Sequence, residues 1–261
     1  MKLIKLNPFT NGVRHQLKLT NNLLLKKNRF AKFLLKTFFR SVGRSKTTGR
    51  ITVRHKGSGC KKSSHVLNSL QFYCGFNIGQ MYSSRHSSFV SLNFDVLTKT
   101  FFKTISTNKT FPGTILVSNL KYGEHFIGYR MQLKFLPIGS IIHLIGEKNN
   151  IIYSCSAGTF CQLIEKKTLC KIRLPSGKIV LVSENLFATL GTVSNLKQKS
   201  IVVGKAGRNR LFGIRPTVRG IAMNPVDHPH GGRTNGGMIP VTPWGIPTKG
   251  KPTVKKLKKY E

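Results

Sequence analysis

Residues 1–65 contain 17 lysines and arginines and no aspartate or glutamate. Such a segment cannot balance its charge internally, and repulsion among its own cations opposes compaction. It is expected to run extended and to order only against a polyanion. The rest of the chain has the same sign: 15 basic and 5 acidic residues over 66–200, then 12 basic and 2 acidic over 201–261. The formal total is +37 on 261 residues. That balance makes a nucleic acid the first candidate partner. Hydrophobic content is 39%, below the roughly 45–50% usual in globular domains. No apolar run approaches the ~18–20 residues of a membrane helix, so no membrane span is expected. Five cysteines (Cys60, Cys74, Cys155, Cys161, Cys170) form no C-x-x-C pair. They are expected to be buried or half-buried thiols, neither a disulfide framework nor a zinc site.

The middle of the chain reads as all-β. Thr168–Leu174 alternates, with Lys171 and Arg173 on one face and Cys170, Ile172 and Leu174 on the other. Pro175-Ser-Gly177 is a turn, and Lys178–Ser183 returns as the second arm of a hairpin. With short strands at Ser140–Ile145 and Gly158–Ile164, residues 126–200 are expected to form a small barrel of about five strands. Phe89–Phe94, Thr100–Ser106 and Thr114–Leu120 make a second group upstream. Leu23–Phe39, apolar at helical spacing among lysines, is the best helix candidate. Residues 201–261 hold 10 glycines and 7 of the 11 prolines. They are expected to be an irregular, extended chain held by an external surface.

Two constellations carry the chemistry. The first runs from Gly43 to Lys62, where arginines and lysines alternate with Gly, Ser and Thr. Arginine offers bidentate contacts to phosphate, and glycine lets backbone amides approach closely. The second runs from Gly204 to Gly232, with four arginines before Asn224-Pro-Val-Asp-His-Pro-His-Gly-Gly232. Asp227, His228 and His230 suggest a metal or acid–base site at first sight. A catalytic metal would need further ligands, and only seven acids exist in the chain. Histidines that fix the loop or bond to RNA are the preferred reading.

The string Gly204–Gly232, together with Pro240-Val-Thr-Pro-Trp-Gly-Ile-Pro-Thr-Lys-Gly250, closely resembles the L-two family of large-subunit ribosomal proteins. Gly49-Arg-Ile-Thr-Val-Arg-His-Lys-Gly-Ser-Gly59, Ser156-Ala-Gly-Thr, Leu174-Pro-Ser-Gly and Ala188–Asn195 resemble further motifs of it. The likeness covers nearly the whole chain and is thin at 66–125. Departures are Arg85-His-Ser-Ser where Arg-Ser-Ala is usual, Cys60 in place of His, Arg233-Thr-Asn after Gly231-Gly232, and a short tail. The resemblance implies an all-β core: an OB-fold barrel followed by an SH3-like barrel, with long extended basic termini. The implied division is a basic extension at 1–58, the OB-fold-like barrel at 59–125, the SH3-like barrel at 126–200 and an RNA-binding tail at 201–261.

Carried onto this chain, the RNA-contacting residues would be Arg44, Lys46, Arg50, Arg54, His55, Lys61, Lys62, Arg85, Lys205, Arg208, Arg210, Arg215, Arg219, Asn224, Arg233, Trp244, Lys249 and Lys251. Asp227, His228 and His230 would form the loop nearest the peptidyl-transferase centre. No catalytic residue and no bound metal are implied, and no cofactor apart from Mg2+ carried by the RNA. Partners would be large-subunit rRNA, neighbouring ribosomal proteins and, at the intersubunit face, the small subunit; no homo-oligomer is implied. The implied role is structural: support of the peptidyl-transferase region, tRNA placement and subunit joining.

The likeness begins by about Lys5-Leu-Asn-Pro, so no removable presequence is expected. Lys (30), Ile (20), Asn (17) and Phe (17) are abundant, residues that AT-rich codons encode. A chain made inside a mitochondrion is expected first, a low-GC bacterium second and a plastid third. Two rival functions remain. A free RNA chaperone or nucleoid protein would not co-sediment with the large subunit in high salt. An RNA-processing hydrolase using Asp227, His228 and His230 would turn over RNA without a ribosome.

Overall fold

The computed structural model describes residues 2–20, 24–25, 35–38, 42–67, 74–118, 125–147, 151–232 and 238–250. The chain divides into two compact units. One combines Met1–Ser41 with Ser58–Gly213, and the other combines Val42–Gly57 with Ile214–Glu261.

The first unit holds all the described strands. A hairpin of β1 (Leu3–Lys5) and β2 (Leu17–Leu19) opens the chain. The backbone N–H of Leu17 donates to Val202 O at 3.2 Å. The start of the acid-free segment is thus paired β structure. β3 (Leu35–Phe38) pairs with β4 (Lys62–His65). The expected helix at Leu23–Phe39 is corrected here: Leu24 bridges Gln80, and 35–38 is strand. Residues 21–23, 26–34 and 39 lie outside the described ones. A helix would have stacked Lys32, Lys36 and Arg40 at i,i+4 spacing, where like charges repel. As a strand, 35–38 instead takes its backbone hydrogen-bond partners from β4.

A four-stranded antiparallel sheet follows, in the order β7 (Phe101–Ile105), β6 (Val90–Asp95), β5 (Cys74–Met81), β8 (Ile115–Val117). Met81, Val90 and Leu92 form one buried cluster, Phe102 and Leu116 another. The expected strands β6, β7 and β8 appear; β5 was not expected. In it the buried positions are Gly75, Asn77, Gly79 and Met81, while Phe76 is exposed. Gly79 presses on Leu25, where an added Cβ would lie 2.7 Å from that side chain. A strand that buries its small and polar residues shows no hydrophobic alternation.

The second sheet has seven strands instead of the expected five or so. Its path is β14 (Ile179–Ser183), β13 (Leu169–Arg173), β12 (Cys161–Glu165), β10 (Ile141–Gly146), β15 (Phe187–Leu190), β9 (Arg130–Gln132), with β11 (Ile151–Tyr153) on β10. The β13–β14 hairpin is as expected, with Cys170 and Ile172 buried and Lys171 and Arg173 exposed. Twelve buried residues, among them Met131, Leu133, Ile142, Leu163 and Ile172, form the core of this sheet. Each large aliphatic side chain so buried contributes ~1.5–3 kcal/mol. Of the cysteines, Cys161 and Cys170 are buried and Cys155 is half-buried, but Cys60 and Cys74 are exposed, against expectation.

β10 also joins the two sheets. Leu144 has φ 51, and the strand pairing shifts register there. This bulge turns Leu144 out of its own sheet's core and into a second cluster with Ile105 and Val193. Beside it, His143 is fully buried. Its Nδ1–H donates to Gly191 O at 3.0 Å, and Nε2 lies 3.1 Å from the Thr107 hydroxyl. Burial is the main cause that holds this imidazole down at about 4.

Candidate nucleic-acid interface

The second unit assembles parts of both basic constellations. Its first piece is a tight turn: Ser45 N–H donates to Arg50 O at 2.8 Å, and Arg44 Nη1 donates to Gly49 O at 3.0 Å. Arg44, Lys46, Arg50 and Arg54 are thereby spread along an exposed loop. The junction to the second piece is main-chain bonding. His55 has φ 56, and its Nδ1–H donates to Pro216 O at 3.0 Å although 161 positions separate them. Arg215 N–H donates back to His55 O at 3.1 Å. The Arg54 guanidinium lies 4.9 Å from the centre of the Trp244 ring. Arg215, Arg219, Trp244 and Lys249 are all exposed. Arg233 and Lys251 lie outside the described residues.

This unit has no buried apolar side chain among its described residues; its one buried side chain is His228. Val226, Ile239 and Trp244 are 90%, 77% and 71% exposed. Hydrogen-bonded turns alone offset little of the ordering entropy of a chain. A unit made this way, with its cations outward, is suited to fold fully against a phosphate-rich surface.

The Asp227–His230 loop is built by turns. Asp227 N–H and His228 N–H both donate to Asn224 O, at 3.0 and 3.4 Å. Asp227 is exposed while His228 turns inward. His230 N–H donates to His228 Nδ1 at 3.0 Å, which leaves Nε2 as the proton-bearing nitrogen. His230 Nε2 lies 3.1 Å from Ile239 O and 3.2 Å from the Val241 N, tying the loop to 239–241. Gly220 lies under the His228 ring, where a Cβ would come within 2.8 Å of it. Both imidazoles are thus engaged in fixing the backbone, and among the described residues no hydrogen bond joins Asp227 to either. Among the described residues no His, Cys, Asp and Glu cluster could hold a metal ion.

The other candidate residues belong to the first unit. Lys205 precedes the short helix α1 (Ala206–Leu211), which carries Arg208 and Arg210, all three exposed. This helix is a local departure from the expected extended tail. Cys60 N–H donates to Leu211 O at 3.1 Å, which brings the Lys61–Lys62 segment beside it. Lys62 Nζ lies 5.3 Å over the Phe212 ring. Arg85 is exposed at one corner of the four-stranded sheet.

Sequence reading missed the neighbours of Arg85. Burial pushes the His86 imidazole down, and Arg85 and His65 add to the shift. Lys103, whose side chain is fully buried, donates to His65 Nδ1 at 3.1 Å, and His65 Nε2–H donates to Tyr82 O at 3.1 Å. Burial lowers both Lys103 and His65. Four nitrogenous side chains therefore share one electropositive corner. Lys103 stands alone among neutral residues, so no charge run marked it.

The family profile "Ribosomal Proteins L2, C-terminal domain" matches residues 126–245. The large ribosomal subunit protein uL2 of Ehrlichia canis is 40% identical over 84% of this chain and 82% of its own length. That of Rhodospirillum centenum is 36% identical over 97% and 94%. The large ribosomal subunit protein uL2m of Reclinomonas americana is 38% identical over 99% and 95%. The four-stranded and seven-stranded sheets correspond to the OB-fold and SH3-like barrels that the resemblance implied. With relatives above 30% identity along nearly the full length of both chains, this protein belongs to the L2 family of ribosomal proteins.

Proposed function

We propose that the chain is a structural, RNA-binding constituent of the large ribosomal subunit. The observation that carries this is the second unit, which joins two sequence-distant basic segments without an apolar core and turns their cations outward. On this reading Arg44, Lys46, Arg50, Arg54, Arg215, Arg219 and Lys249 meet rRNA phosphates. Lys61, Lys62, Lys205, Arg208, Arg210 and Arg85 do the same from the first unit, and His55, Asn224 and Trp244 hold or read the RNA. Arg233 and Lys251, outside the described residues, are assigned the same role as cations of the basic tail. The loop Asp227–His230 is a rigid plug near the peptidyl-transferase region, and its role is positional, not catalytic. Neighbouring ribosomal proteins, and the small subunit at the intersubunit face, complete the set of partners.

The chain is proposed to divide as 1–58, 59–125, 126–200 and 201–261; since β1 to β3 are paired strands, ordering on RNA concerns the 42–57 loop and the C-terminal tail. Its setting is proposed to be a mitochondrial ribosome, supported by the AT-biased composition and the likeness to a uL2m. The test is co-sedimentation of the full chain with large subunits in high salt, followed by mass spectrometry of ribosomes purified from isolated organelles. Retention on the large subunit supports the role. Release as free protein, or RNA turnover by the purified chain, overturns it.

A further inference from the structure

A cleft of about 330 Å³ opens in the first unit, and none of its lining residues was among the candidates above. Its walls include Phe89, Asn108, Lys109, Phe111, Asn195 and Lys197. The volume is near the low end of the ~300–1,000 Å³ of small-ligand pockets. We propose that this cleft receives a single unstacked nucleobase of the RNA, with Phe111 as stacking platform, Asn108 reading the base edge, and Lys109 and Lys197 holding the flanking phosphates. The inference rests on the RNA-binding reading above and deepens it.

Four observations support it. Phe111 is 63% exposed, yet its loop is fixed. Asn77 Nδ2 donates to Phe111 O at 3.2 Å, Gln80 Nε2 donates to Thr110 O at 3.0 Å, and Thr110 Oγ1 donates to Thr107 O at 2.8 Å. An aromatic ring held out on a rigid loop loses little freedom when a base stacks on it. The opposite wall is equally set. Asn195 has φ 66, and its Nδ2 donates to Ser87 O at 2.7 Å and Gln198 Oε1 at 2.8 Å.

Asn108 supplies the selective group. Its backbone N–H is bonded to Thr192 O at 2.8 Å, but its half-buried carboxamide makes no hydrogen bond among the described residues. A side chain with one acceptor and two donors left open matches the edge of a base. Phe89, 4% exposed, adds an aromatic ring to the lining.

The charge selects the class of occupant. Lys109 and Lys197 are exposed, and among the described residues no carboxylate lines the cleft. A base-paired helix presents ridges of phosphate and sugar; it has no free ring to place in a concavity. Single-stranded loops and bulges do, and they are the usual targets of sequence-reading RNA binders.

The experiment is chemical probing of rRNA in large subunits assembled with the full chain. Three variants are compared with the unaltered protein: Phe111→Ala, Phe111→Trp and Asn108→Leu. With Phe111→Ala, one nucleotide or an adjacent pair should become reactive while the remaining footprint stays. Affinity for the rRNA fragment holding that nucleotide should fall about tenfold. Phe111→Trp keeps a stacking face and should restore protection; Asn108→Leu should expose the same nucleotide. A second arm places a photoreactive benzoylphenylalanine at position 111, which should cross-link to that nucleotide. An unchanged reactivity pattern, or a cross-link to protein in place of RNA, overturns the proposal. If the unaltered chain fails to footprint rRNA or to co-sediment with the subunit, the broader reading fails as well, and that outcome is distinct from a local null at Phe111.

Discussion

The Arg54 guanidinium lies over the indole of Trp244, 4.9 Å from the ring centroid, and so joins two segments that are nearly two hundred positions apart. Trp244 is the single tryptophan of the chain, and its emission therefore reports on the surroundings of this ring, which Arg54 shares. Arg54→Ala should change that emission without altering the β-sheet circular dichroism. At an exposed site the contact contributes ~0.5–1 kcal/mol. An emission spectrum identical to that of the unaltered protein would show that the contact is not populated.

Arg215 and Arg219 should each contribute a phosphate contact. Affinity for large-subunit rRNA should fall steeply with salt, because each neutralised phosphate releases a counterion. Arg215→Ala and Arg219→Ala should each weaken binding and reduce the slope of log K against log salt by about one. Filter binding over a KCl series measures both quantities. An affinity almost independent of salt would mean that the surplus of cations serves another purpose.

Gly220 and His228 should behave as one packing pair. Gly220→Ala places a methyl group within 2.8 Å of the imidazole, displacing the ring that accepts the His230 N–H. Overpacking of this kind costs ~1–3 kcal/mol, and the loop should become protease-sensitive. His228→Gln keeps a polar side chain of similar reach and removes the titratable ring. Subunits that assemble with it should retain substantial peptide-bond formation with an unshifted pH profile. Normal assembly with a loss of the chemical step on the order of 10²-fold would make the ring catalytic.

His143 should impose a pH dependence on the stability of the barrels. Its folded value lies near 4 and the ordinary value is 6.5, so between these the unfolded chain binds the extra proton. The contribution is complete above pH 6.5 and is lost as pH falls toward 4. At 1.36 kcal/mol per unit, the loss is on the order of 3 kcal/mol. Urea denaturation of the RNA-free protein at pH 7 and pH 4.5 should show it. His143→Gln should abolish that part of the difference; an unchanged difference would assign it to other groups.

Much of this protein was legible one segment at a time. The β13–β14 hairpin follows from alternation around Pro175-Ser-Gly177, because period-two patterning and turn chemistry are local. The net charge named the class of partner, because charge adds up without regard to fold. The peculiar string from Gly204 to Gly232 carried the family. Other features were decided by tertiary structure. The register slip at Leu144 sends Ile142 and Ile145 to one core and Leu144 to another, and no pattern in Ile-Ile-His-Leu-Ile announces it. β5 hides because it buries glycines and Asn77 where a strand normally buries aliphatics. The run around Leu35 reads as a helix by spacing, but backbone pairing with β4 makes it a strand. His55 meets Pro216, and Asn108 faces the same cleft as Lys197, only because the chain closes on itself over long distances. Propensity and charge act over a few residues; burial and close packing depend on which distant segments meet, and that is settled when the whole chain folds.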